Sequence, residues 1–119
     1  MYYNENMLKL IANWILSALA IIVTAYLVPG VRVDSFTTAL IVAIVLGIVN
    51  AVLKPLLVIL TLPITLISLG LFMFVINAVM VLVVDRLVPG FGVNSFITAL
   101  LFSLVLSVVN WFLFRLVKE

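Results

Sequence analysis

Residues 27–56 read LVPGVRVDSFTTALIVAIVLGIVNAVLKPL, and residues 87–116 read LVPGFGVNSFITALLFSLVLSVVNWFLFRL. The two stretches align without a gap at an offset of 60, with sixteen of thirty positions identical. Shared apolarity would not keep Pro-Gly, Ser-Phe and Asn in register, so the pattern is that of a duplicated unit. Each unit then consists of an apolar segment, a Val-Pro-Gly bend and a second apolar segment. The preceding segments correspond more weakly, through Ala18 with Ala78 and Ser17 with Asn77.

Composition says what surrounds these segments. Of 119 residues, 68% are hydrophobic and 8% charged, against roughly a quarter charged in an ordinary soluble domain. Mean hydropathy is +1.55. Ten charged residues cannot coat a soluble globule of this size, so the chain reads as an integral membrane protein with the lipid bilayer as its principal partner. Cysteine and histidine are absent, which removes thiol chemistry, zinc sites and His-based acid–base catalysis. The four acidic residues, Glu5, Asp34, Asp85 and Glu119, lie far apart in sequence. No cofactor, metal or catalytic residue is therefore expected, and an enzyme is the least supported class. The formal charge of +2 comes from basic residues scattered singly at segment ends. That is how membrane proteins set orientation, and it gives no nucleic-acid footprint.

A helix needs about 20 apolar residues to cross a bilayer. Leu8 to Val28 carries only Lys9, and Pro29-Gly30 ends it. Phe36 to Val84 is interrupted once by a charge, Lys54, and is punctuated by Pro55, Pro63 and Gly70. Its length fits two long spans with a turn near 60–64. Pro55 disfavours helix at Lys54, so the second span either ends near Leu53 or kinks there and continues to about Leu60. Pro63 suits a first helical turn of the third. A re-entrant dip over 55–69 is the alternative, tolerated only where protein or water covers its backbone. Asp85-Arg86 and the Pro89-Gly90 bend lead into the last apolar run, Phe96 to Phe114. The expectation is an all-α polytopic membrane protein. It forms one transmembrane domain over 1–119, with repeat units about 8–56 and 64–116 and spans about 8–28, 36–60, 63–87 and 95–115. A signal peptide over the first span is the lesser alternative, because the repeat gives that span a counterpart.

Two spans return a unit to its starting side, so both units share one orientation about an axis along the membrane normal. Lys9, Lys54, Arg115 and Lys118 then fall on one side and Arg32 and Arg86 on the other, each of the latter near an Asp. The excess places both termini in the cytoplasm and both bends outside, in the inner membrane.

Ala39, Ala43 and Gly47 form a small-residue stripe at i, i+4, i+8, matched by Ala99, Ser103 and Ser107. Such faces let helices approach closely in lipid, and packing is favoured over pore lining. Asn50 and Asn110 extend the stripes by a turn, and Asn77 sits in the third span. Amides in hydrocarbon need partners, so these and Asn13 are expected to point inward and bond across helices. Lys54 can snorkel to the interface. Trp14, Trp111, Tyr2, Tyr3 and Tyr26 read as an aromatic belt, and Ser35 and Ser95 as helix N-caps. The stripes suit a homo-oligomer.

Asn50-Ala51-Val52-Leu53-Lys54-Pro55, Leu60-Thr61-Leu62-Pro63, Leu69-Gly70-Leu71-Phe72 and Ile76-Asn77-Ala78 together resemble the bacterial four-span phage holin superfamily IV. The resemblance extends over nearly everything from Met7 onward. It implies a four-span inner-membrane protein of about this length, and it supplies no catalytic residues. The first expectation for function is a holin-like, self-associating protein that perturbs or permeates the cytoplasmic membrane. Two other functions fit the same sequence: a structural or regulatory membrane protein of envelope stress working through protein partners, and a small-solute channel.

Overall fold

The computed structural model describes the backbone of residues 2–68 and 70–118 and the side chains of 6–68 and 70–117. It is mostly helical. In chain order the elements are α1 (Tyr2–Leu27), β1 (Val31–Val33), α2 (Phe36–Leu60), α3 (Leu62–Ile67), α4 (Phe72–Leu87), β2 (Phe91–Val93) and α5 (Phe96–Lys118). Among the described residues, three helices are long and apolar enough to cross a membrane: Asn6–Leu27, Phe36–Leu60 and Phe96–Val117. At 1.5 Å per residue, α2 spans about 37 Å, enough for a hydrocarbon core of about 30 Å. Its start is fixed by Ser35, whose hydroxyl accepts the Thr38 N–H at 3.1 Å. Pro55 lies inside α2 without ending it. Thr61 closes the helix, donating its hydroxyl to the Leu57 carbonyl at 2.7 Å.

The stretch 63–87, expected as one span, is divided. Pro63 takes the first turn of the short α3, as expected. Gly70 then adopts φ +88 and donates its N–H to the Thr65 carbonyl at 2.8 Å. Ser68 accepts the N–H of Phe72 at 3.2 Å and opens α4. An interior turn that satisfies its own donors in this way costs the apolar stretch little. The sixteen residues of α4 span about 24 Å.

The two Val-Pro-Gly bends also differ from the expectation of purely helical structure. They lie side by side and pair as a two-stranded antiparallel ribbon, with Val31 opposite Val93, Arg32 opposite Gly92 and Val33 opposite Phe91. Pro29 and Pro89 sit at the first corner of each bend, and Gly30 and Gly90 follow with φ +94 and +91. This is the arrangement a type II turn requires, and in the second bend Phe91 N–H reaches the Val88 carbonyl at 3.3 Å.

Below the ribbon, α1 packs on α2 and α5, and α4 packs on α2 and α5, a four-helix square. Its close contacts are made by small residues. Ala18, Ala39, Ala78 and Ala99 are fully buried, next to Val42, Val84 and Phe102. Phe102 meets Phe91 of the ribbon edge-to-face at 5.6 Å between centroids, which fastens the ribbon to the bundle.

Candidate functional site

Ala39 and Ala99, the ribbon-proximal members of the two stripes, are fully buried and do pack helices together. Farther from the ribbon the stripes open. Leu46, Asn50 and Lys54 of α2, Asn77 of α4, and Ser103, Ser107 and Asn110 of α5 line one cavity of about 160 Å³. A second cavity, also about 160 Å³, lies between Ser17 of α1, Ala43, Gly47 and Asn50 of α2, and Asn110 of α5. Both share Leu46, Asn50, Leu106 and Asn110. Position by position, the linings are related by the offset of 60: Ser17 and Asn77, Ala43 and Ser103, Gly47 and Ser107. One cavity is thus the polar counterpart of the other, and it alone includes Lys54.

The expected cross-helix amide bonds are not formed among the described residues. Ser103 and Ser107 donate instead to carbonyls of their own helix, those of Leu100 and Ser103, each at 2.9 Å. The Asn110 Oδ1 is buried without a partner. An amide between hydroxyls already committed to the backbone finds no donor unless something enters the cavity. The polar groups on offer are amides, hydroxyls and the half-buried Lys54 ammonium. Among the described residues no three metal-ligating side chains converge.

Outside the square, α1 and α2 border a groove of about 400 Å³ lined by Asn13, Trp14, Ala43, Gly47 and Ala51. Asn13 is exposed there, contrary to the expected inward orientation. A Cβ on Gly47 would meet nothing within 4 Å. Trp14, read as a belt residue, instead donates its indole N–H to the Leu40 carbonyl at 2.8 Å and ties α1 to α2. Tyr26 is 87% exposed at the ribbon end of α1.

Of the topology charges, Lys9 and Arg115 are exposed. They stand near the starts and ends of α1 and α5 remote from the ribbon, with Arg115 over the Trp111 ring at 5.3 Å. The Lys118 side chain lies outside the described residues. At the ribbon, Arg32 pairs with Asp34 at 3.2 Å. Asp85 Oδ2 accepts the Val93 N–H at 3.3 Å, a role its sequence position did not reveal.

An apolar helical square with a polar seam and a capping ribbon defines a multi-helix integral membrane protein. The chain belongs to the family described as mycobacterial 4 TMS phage holin, superfamily IV, whose model matches residues 8–112. It is similar to the uncharacterised membrane protein YvlD of Bacillus subtilis (36% identical over 105 residues, 87% of this chain and 88% of that one). It is also similar to the uncharacterised protein SCO3922 of Streptomyces coelicolor (40% identical over 105 residues, 85% of this chain and 79% of that one). No solved structure matches.

Proposed function

We propose that the protein is a self-associating, holin-like protein of the inner membrane whose oligomers permeabilise the bilayer. It crosses four times as a duplicated helical hairpin, with α3 and α4 together completing the third crossing. Both halves run in the same sense, the ribbon faces outward and the termini are cytoplasmic, in keeping with the excess of Lys9, Lys54, Arg115 and Lys118 over Arg32 and Arg86. The observation that carries the proposal is the outer groove, where an exposed amide, Asn13, stands beside Ala43, Gly47 and Ala51 with open space over Gly47. An amide facing hydrocarbon without a partner costs several kcal/mol, roughly 2–7. A second copy's helix supplies both a polar partner and close packing over the small residues. Family membership supports the step from association to permeabilisation.

The test is induced expression with a membrane-potential dye, comparing the wild type with Gly47→Leu. In a single chain a Cβ at this position meets nothing within 4 Å, whereas at a copy–copy contact the leucine fills the groove; far-UV circular dichroism of the variant checks that it folds. The wild type is expected to collapse the potential at modest expression and Gly47→Leu to leave it standing, with fewer cross-linked dimers in membranes. An intact potential under strong wild-type expression refutes permeabilisation. Equal cross-linking of both proteins refutes the groove as the contact.

A further inference from the structure

The two outer edges of the ribbon are chemically unequal. Asp34 N–H donates to the Gly90 carbonyl and Asn94 N–H to the Gly30 carbonyl, each at 3.0 Å, on either side of the Arg32–Gly92 pair. Bonded and non-bonded positions alternate along an antiparallel pair. The N–H groups of Val31, Val33, Phe91 and Val93 therefore point away from the partner strand. On the β2 edge both donors are satisfied, Val93 by the Asp85 carboxylate and Phe91 by the Val88 carbonyl, each at 3.3 Å. On the β1 edge Val33 holds the position that Val93 holds on β2. Ala25, sixty residues before Asp85, stands where the acceptor would come from. A methyl group accepts nothing, and the Val33 N–H has no partner among the described residues. A cleft of about 540 Å³ opens at that place, walled by Ile22, Ala25 and Tyr26 of α1, Arg32 and Asp34 of the bend, and Phe36 of α2.

We propose that this cleft binds a zwitterionic lipid headgroup, a phosphoethanolamine, with its phosphate on the Val33 N–H and the Arg32 guanidinium and its ammonium on the Asp34 carboxylate. The opposite edge shows what the donor takes: an oxygen of an anionic group. The cleft offers both signs of charge side by side, Arg32 and Asp34 being 65% and 51% exposed, so an occupant carrying both signs satisfies both. Ile22, Ala25 and Phe36 form an apolar wall where the ribbon meets two membrane-length helices, the level at which headgroups pass into acyl chains. A strand from a second copy fits this edge poorly. Antiparallel addition with Val31 against Val33 sets Arg32 opposite Arg32, and like charges directly opposed disfavour pairing. The inference does not depend on permeabilisation.

The test is native mass spectrometry of the full chain released from detergent micelles doped equally with dioleoyl phosphatidylethanolamine, phosphatidylglycerol and phosphatidylcholine. The wild type is expected to retain phosphatidylethanolamine about tenfold over the other two, the worth of one charge-assisted hydrogen bond. Ala25→Asp installs the missing carboxylate. Its phosphatidylethanolamine retention should fall to the phosphatidylcholine level while the Val33 amide gains protection from hydrogen exchange. Asp34→Asn should erase the preference over phosphatidylglycerol, and Arg32→Gln should lower retention of both. Equal retention of the three lipids by the wild type overturns the proposal, as does undiminished retention in Ala25→Asp. If Ala25→Asp does not fold, unchanged retention in Arg32→Gln overturns it instead. Capture of an acidic peptide with no lipid preference also counts against it.

Discussion

Replacing Gly90 by alanine tests the ribbon's place in the fold. Gly90 holds φ +91, and a Cβ there would lie 3.1 Å from Thr38 Oγ1 and 3.2 Å from Asp34 Oδ2. A left-handed backbone costs an L-residue about 1–2 kcal/mol. Thr38 cannot retreat freely, because its N–H and its hydroxyl are each held by Ser35 at 3.1 Å. Displacing it weakens the cap of α2, worth about 1 kcal/mol. The combined loss is about 2–3 kcal/mol, roughly 30- to 150-fold in the folding equilibrium. Gly30→Ala should cost nearly the same, since its Cβ would lie 3.1 Å from both Asn94 Nδ2 and Thr98 Cγ2, and Thr98 is held by Ser95. Gly47→Ala, a helix-interior glycine with open space around it, should instead gain about 0.5–1 kcal/mol. Unfolding in mixed micelles of rising dodecyl sulfate fraction, followed by far-UV circular dichroism, measures all three. Wild-type stability in Gly90→Ala, or a loss in Gly47→Ala matching that in Gly90→Ala, would refute the reasoning.

Asp85→Ala removes the acceptor of the Val93 N–H and should cost about 1–2 kcal/mol, with faster hydrogen exchange confined to β2 and its turn. Trp14→Phe keeps the ring but deletes the bond to the Leu40 carbonyl. An interhelical bond of this kind is worth about 0.6 kcal/mol on average in a membrane protein, so a shift of that order is expected in the same micelle titration. Asn110→Leu should hold or raise stability, because it removes a buried oxygen that has no donor; a loss above about 2 kcal/mol would show that the amide is paired in the membrane.

Helix ends were legible where a local chemical signal marked them. Ser35 capped α2 as its sequence position suggested, and Leu8 to Leu27 became helical because an apolar stretch of that length, charged only at Lys9, has no better way to satisfy its backbone in lipid. Pro55 left open whether the second span ended near Leu53 or ran on to Leu60, and α2 runs on. The ribbon was not legible, because three-residue strands carry no period and the partner of Val31 lies sixty-two residues away at Val93. The break at Gly70 was visible as a glycine. Its cause, a Ser68 hydroxyl reaching Phe72 N–H and a positive φ, is conformational and leaves no apolar pattern. For the site, the offset placed Asn50 and Asn110 on matching faces, and they share both cavities. Orientation escaped: Asn13 faces outward, and the serines bond backward along their own helix. Which way an amide turns depends on helix rotation within the square, which a pattern of small residues constrains only loosely. Trp14 carried no sequence mark of its bond to Leu40, since a membrane-belt tryptophan and an interhelix donor have the same composition.

The ribbon's two strands lie sixty residues apart in the chain, so they cannot meet until β2 has been made. α1 and α2 are both made while Arg32 still awaits Gly92. β1 lies between the ends of α1 and α2 rather than within either helix, so its unpaired amides stand at the bundle's rim during that interval, where solvent could hold them. With α4 and α5 in place, β2 closes the ribbon like a clasp and joins the two parts of the bundle.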